Sequence, residues 1–187
     1  MDIEKEKILL AEIKSKPEKF GVLYDEYYDT IFSYIFRRLS DYDLARDIAS
    51  ETFLKAYLKI HAFEWRGISV IFWFYRIATN EINLYFRNNK YVSQSLENAI
   101  NKNAFDFTDL KIEEQERERI EDELKQHEEF MAILAQLKLL KVSYQEVIAL
   151  KYFEQKSIKE IAIILDKKEG TIKSLLSGGI EKLKNIL

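Results

Sequence analysis

One proline and five glycines in 187 residues leave this chain few places to make the turns a β-rich fold needs. Glycine supplies positive φ at little cost and proline a fixed φ, so their scarcity predicts long helices with short polar connections. Hydrophobic residues at 47% suffice for a packed core, and charged ones at 33% suit broad helical surfaces. The expected fold is all-α.

Charge divides the chain into three. Met1 to Leu96 carries 14 basic and 14 acidic side chains; Glu97 to Glu129 carries 5 and 12, net −7; Phe130 to Leu187 carries 10 and 6, net +4. Two small helical domains, 1–92 and 130–187, joined by a flexible acidic linker over 93–129, follow from that asymmetry. The opposite charges also predict that the last domain folds back on the linker.

Several classes are excluded. The chain has no cysteine, and His61 and His127 stand in no metal-ligand spacing, so neither metal nor cofactor is expected. No glycine loop cradles a phosphate and no nucleophile sits beside a base, which argues against an enzyme. No apolar run is long enough for membrane insertion, and MDIEKEKILLAEIKSK has no signal-peptide core, which predicts a cytoplasmic protein.

Lys16-Pro17-Glu18 reads as a helix start, with proline tolerated in the first turn. Phe20, Leu23, Tyr24, Tyr27, Ile31, Tyr34 and Ile35 then recur at helical spacing up to Arg37-Arg38-Leu39. Ser40 stands where it can cap a second helix from about Asp41 to Ile60, burying Ala45, Ile48, Ala49, Thr52, Phe53, Ala56 and Tyr57. Its other side shows Asp47, Glu51 and Lys55, either a solvated face with an ion pair or a partner surface.

A loop with Phe63, Trp65, Arg66 and Gly67 follows, and two large rings in a connection are unusual. It leads into a helix with Trp73, Arg76, Asn80, Asn83 and Arg87 on one line and Phe74, Ile77, Ala78, Ile82 and Tyr85 opposite. Rings, amides and guanidinium groups on one exposed line suit unstacked single-stranded bases. The competing reading makes the rings core and the polar groups solvated surface.

Periodicity fades from Tyr91 to Thr108, and Leu110 to Glu129 is too charged to fold alone. Phe130, Ile133, Leu134 and Leu137 form one later stripe, and Val147, Ile148, Leu150, Tyr152 and Phe153 another. Ser157-Ile158-Lys159-Glu160 is a capping box opening a short helix. A turn at Asp166-Lys167-Lys168 and a second helix complete a helix-turn-helix layout. Its outward residues are Glu169, Thr171, Lys173, Ser174 and Ser177, with Gly178-Gly179 read as a kink or an end.

DYDLARDIASETFLKAY from Asp41 and FWFYRIATN from Phe72 resemble conserved region 2 of bacterial RNA polymerase sigma factors. LKYFE from Leu150, SIKEIA from Ser157 and EGTIKS from Glu169 are similar to region 4 of the extracytoplasmic-function (ECF) class. The resemblance implies a non-catalytic subunit that brings core RNA polymerase to promoter DNA and helps melt it. It implies docking on the polymerase β′ coiled coil through Asp47, Glu51 and Lys55, with the β flap as a further contact. It implies capture and opening of the −10 element by Phe63, Trp65, Arg66, Trp73, Arg76 and Asn80. Reading of the −35 element falls to Thr171, Lys173 and Ser174, and an anti-sigma factor is a possible partner.

Leu175, Gly178 and Gly179 stand where such recognition helices commonly carry basic residues, and fewer cations mean fewer counterions released on binding. A second reading therefore stays open, a sigma-derived interaction protein that binds polymerase or a regulator without effective −35 recognition.

Overall fold

The computed structural model describes residues 1–88, 132–133 and 135–185, and every regular element among them is helical. Helix α1 (Ile3–Ile13) precedes a 3₁₀ turn, Pro17–Lys19, with the proline where its missing N–H costs nothing. That turn feeds α2 (Phe20–Leu39), then α3 (Tyr42–Lys59), a 3₁₀ turn at Ile60–Ala62, and α4 (Ile71–Asn88). The second domain holds α5 (Val142–Ile148), a π-helical turn (Ala149–Phe153), α6 (Ile158–Leu165) and α7 (Glu169–Lys184).

The first domain closes around the apolar stripe of α2. Leu23, Ile31, Tyr34 and Ile35 meet Ala45, Ala49 and Phe53 of α3 and Phe74, Ala78 and Ile82 of α4. Tyr24 and Tyr57, expected in the core, are instead exposed at its edge, Tyr57 lying edge-on to Phe20 at 5.3 Å between ring centroids. Ser40 is not the cap of α3. It takes a left-handed conformation (φ 52) at the end of α2, and Asp41 accepts from the Leu44 N–H in its place. The chain must reverse within these two residues, and the side chain with extended backbone is the one that caps.

Helix α1 went unread in the sequence. Its inward stripe is Glu6, Leu9, Leu10 and Ile13, and a carboxylate in a core position hides the pattern.

In the second domain Val147, Ile148, Leu150, Ile161, Ile164 and Ile172 form the core. Ser157 and Glu160 satisfy each other's amides as the capping box predicts. Asp166 ends α6 in the left-handed region (φ 55), and α7 starts three residues later. Gly178 and Gly179 neither kink nor end α7. A Cβ on Gly179 would lie 3.1 Å from Ile148 Cδ1 and 3.2 Å from Tyr144 Cβ, so its absence lets α7 cross α5 closely. The 93–129 linker, Phe130, Leu134 and Ile186 lie outside the described residues.

The two domains meet. Helix α6 lies against α4, and the π-helical turn against α2. Hydrogen bonds cross the contact, and the buried apolar residues of the two domains join in one cluster.

Candidate polymerase and nucleic-acid interfaces

Asp47, Glu51 and Lys55 lie along α3, but they differ in freedom. Asp47 is exposed and Glu51 half-exposed. The Lys55 ammonium stands 2.6 Å from Glu81 Oε2 on α4 and 3.1 Å from Glu51 Oε1. The Glu81 hydrogen bond, and secondarily Glu51, hold Lys55 protonated above its ordinary range. Lys55 thus ties α3 to α4 rather than projecting freely. Two residues the sequence reading passed over complete the outer line. Leu54 and Leu58 are 52% and 67% exposed, and with Asp47 and Glu51 they step by four, three and four. That is the seam spacing by which one helix meets a coiled coil.

The aromatic cluster sits at the amino end of α4. The Phe63 and Trp73 rings lie 4.8 Å apart, and Trp73 leans on buried Phe74. Trp65 is half-buried; the Lys7 ammonium of α1 lies 5.1 Å from its ring centre, and its Nε1 has no acceptor among the described residues. Gly67 turns the loop with φ +77, which a β-carbon would strain. Arg66 is exposed, and its ion-pair partner among the described residues is Glu64, at 3.7 Å. Asn80 is exposed on α4. These residues offer rings, an exposed guanidinium and an amide along one edge.

Arg76 faces the second domain instead. Its Nε donates to Ile164 O at 3.1 Å, and its Nη2 to Ile163 O, with Asp166 Oδ1 at 3.7 Å. The carbonyls at the end of α6 carry the negative pole of that helix, which suits a guanidinium. Asn83 likewise donates to Glu146 Oε1 of α5. A polar cleft of about 260 Å³ separates the surfaces, lined by Thr79, Asn80, Asp166 and Lys167 among others. Helical spacing identified Arg76 and Asn83 as outward; it could not say what lay outside.

Tyr75, absent from either stripe read in the sequence, is fully buried beneath this contact. Its hydroxyl donates to Glu154 Oε2 at 2.6 Å, and Arg37 Nη1 of α2 donates to Glu154 Oε1 at 2.8 Å. Burial, then the bond to Glu154, pushes the Tyr75 hydroxyl well above its ordinary range and keeps it a donor. The Lys156 ammonium lies 5.1 Å from the Tyr75 ring centre. The π-helical turn delivers Glu154: the Glu154 N–H bonds back five residues to Ala149 O.

Thr171, Lys173 and Ser174 are all exposed on α7. Ile172 and Leu176 turn inward and seat α7 on the rest of the domain. Lys173 has no ion-pair partner among the described residues. The outer surface of α7 therefore stays open, while Arg76 on α4, though 38% exposed, is engaged by α6.

Two family models match this chain, Sigma-70 region 2 over residues 23–91 and Sigma-70, region 4 over residues 130–183. The ECF RNA polymerase sigma factor SigW of Bacillus subtilis is 30% identical over 182 residues, covering 93% of this chain and 91% of SigW. BldN of Streptomyces coelicolor, also an ECF RNA polymerase sigma factor, is 29% identical over 170 residues; the match covers 91% of this chain but 61% of BldN. Among solved structures, CnrH in complex with the cytosolic domain of CnrY shares the fold at a TM-score of 0.65 and 18% identity, over 99% of this chain and 97% of that one. The sigma factor RpoE in complex with the anti-sigma factor NepR, from Bartonella quintana, does so at 0.60 and 22%, over 90% and 96%. With both regions matched in order on an all-helical fold and SigW aligned along nearly its whole length, this chain belongs to the ECF family of RNA polymerase sigma factors.

Proposed function

We propose that this protein works in the cytoplasm as a non-catalytic subunit of RNA polymerase, bringing the core enzyme to a promoter and opening the duplex there. The observation that carries the reading is the joint presence of regions 2 and 4, with the Phe63, Trp65 and Trp73 cluster at the amino end of α4. Asp47 and Glu51, extended by Leu54 and Leu58, dock on a polymerase coiled coil, while Lys55 braces that face. Phe63, Trp65 and Trp73 receive an unstacked base from the −10 element, exchanging base stacking for ring stacking. Arg66, Arg76 and Asn80 supply charge and amide contacts to the displaced strand. Thr171, Lys173 and Ser174 enter the major groove at the −35 element.

The continuity of α7 through Gly178 and Gly179 favours this reading over an interaction protein without −35 recognition, because the helix bearing those side chains is whole. Arg76 and Asn83 are engaged by the second domain, so promoter opening requires that domain to move off α4. An anti-sigma factor is a natural partner, as RpoE and NepR exemplify. Pull-down with core polymerase followed by run-off transcription on fragments recovered with the complex tests the proposal. Failure to associate with core enzyme defeats it.

A further inference from the structure

Helix α1 lies wholly before residue 23, where the region 2 match begins. Its Glu6 is 0% exposed. Glu6 Oε2 accepts from the Tyr27 hydroxyl at 2.7 Å and from Ser69 Oγ at 2.8 Å, and Oε1 accepts from the Val70 N–H. Ser69 and Val70 in turn accept the first amides of α4: Phe72 bonds to Ser69 O, and Trp73 and Phe74 to Val70 O. The carboxylate therefore sits at the positive end of the helix that carries Trp73, and satisfies an amide that has no partner within it. The next residue, Lys7, lies over Trp65 in the same loop.

Core stability does not select glutamate here. The rest of the inward stripe is Leu9, Leu10 and Ile13, and a fourth apolar residue would pack without the desolvation cost of a buried carboxylate. What glutamate adds is three directional bonds converging on one point, two of them to consecutive residues of the loop before α4. A leucine could fill the volume but could not fix where Ser69 and Val70 stand.

We infer that Glu6 is a positioning residue for strand opening, holding the 63–70 loop and the first turn of α4 in the geometry that receives an unstacked base. It touches no DNA and acts through Ser69, Val70 and the rings beyond them. The inference rests on reading Phe63, Trp65 and Trp73 as the strand-opening surface.

The chain's own tryptophans report on it, since Trp65 and Trp73 are the only two. The test uses the full chain with Glu6→Gln, which keeps the shape and loses the charge. It needs core polymerase and one promoter fragment recovered with the wild-type complex, prepared fully duplex and with a preformed mismatch bubble. Loosening the loop should raise acrylamide quenching of the tryptophans about twofold, leave core binding unchanged, and lower the duplex-to-bubble transcription ratio about tenfold, the size of one weakened hydrogen bond to a charged group. A folded Glu6→Gln chain with unchanged quenching and unchanged ratio overturns the inference. If that variant does not fold, Ser69→Ala decides, because it removes one of the three bonds. It should raise quenching and lower the ratio by about half as much on a logarithmic scale, and no change in either overturns the inference. Trp65→Ala separates the two claims. A fall in the ratio there with none for Glu6→Gln overturns the positioning role alone; no fall in either overturns the strand-opening reading as well.

Discussion

Replacing Glu154 with alanine should separate the two domains while leaving each folded. The carboxylate is 7% exposed and takes two bonds from the first domain, one from Arg37 and one from Tyr75. These losses differ in weight. Arg37 is 38% exposed and regains water, so its share is small. The Tyr75 hydroxyl is buried, and an unpaired buried hydroxyl costs about 1–3 kcal/mol. Adding the Arg37 share of about 0–1 kcal/mol gives about 1–4 kcal/mol, or about 5- to 900-fold in the ratio of joined to separated domains. The chain has no cysteine, so dyes can be attached to cysteines placed at exposed Ser50 and Ser177. Energy transfer between them should fall in Glu154→Ala, and Tyr75→Phe should give a smaller fall, since it leaves the Arg37 pair intact. Binding to a −10 single strand should strengthen in parallel, because Arg76 is freed. Unchanged energy transfer in Glu154→Ala, with both domains folded, refutes this account of what joins them.

Other perturbations give equally definite expectations. Gly179→Ala should leave the second domain about 1 kcal/mol or more less stable than Gly170→Ala does, since a Cβ at Gly179 meets Ile148 and Tyr144 at 3.1 and 3.2 Å whereas Gly170 has open space around it; chemical denaturation distinguishes them. Ser157→Ala removes one half of the capping box and should cost about 1 kcal/mol by the same assay. Tyr27, Tyr34 and Tyr75 are all pushed above the ordinary phenol range, chiefly by burial. Their contribution is full below the unfolded value near pH 10 and is lost as pH rises toward the raised folded values, so the melting temperature should hold to about pH 10 and fall above it. A melting temperature that is flat or rising through pH 11 contradicts that assignment. Replacing Lys173 and Ser174 with alanine should change which promoter fragments are recovered while leaving core binding intact, because both side chains face outward from α7.

The long helices were legible because each buries one regular stripe, so that Leu23, Ile31 and Ile35, or Phe74, Ala78 and Ile82, announce a period of 3.6. The helix-turn-helix was legible from its capping box. Helix α1 was not, because Glu6 occupies an inward position and only Tyr27, Ser69 and Val70, remote in the chain, make that tolerable. Spacing placed Trp73, Arg76 and Asn80 on one line but left open whether the rings were core, and the expected role came from the resemblance to region 2; the exposure of Asp47, Thr171, Lys173 and Ser174 was legible from spacing. The engagement of Arg76 and Asn83 by the second domain could not be read from spacing. Their partners lie 63 to 88 residues away, and no local period encodes a contact at that distance. Leu54 and Leu58 were missed because an exposed leucine carries no signal until its neighbours on the surface are known.

The π-helical turn at Ala149–Phe153 holds one residue more than an α-helical path would use. The wide turn absorbs that extra residue, closing with a bond from the Glu154 N–H five residues back to Ala149 O. A chain one residue shorter there could wind as ordinary α-helix and keep Glu154 nearly in phase with α5. Relatives could therefore differ in length by one residue at this point without parting Glu154 from Tyr75 and Arg37.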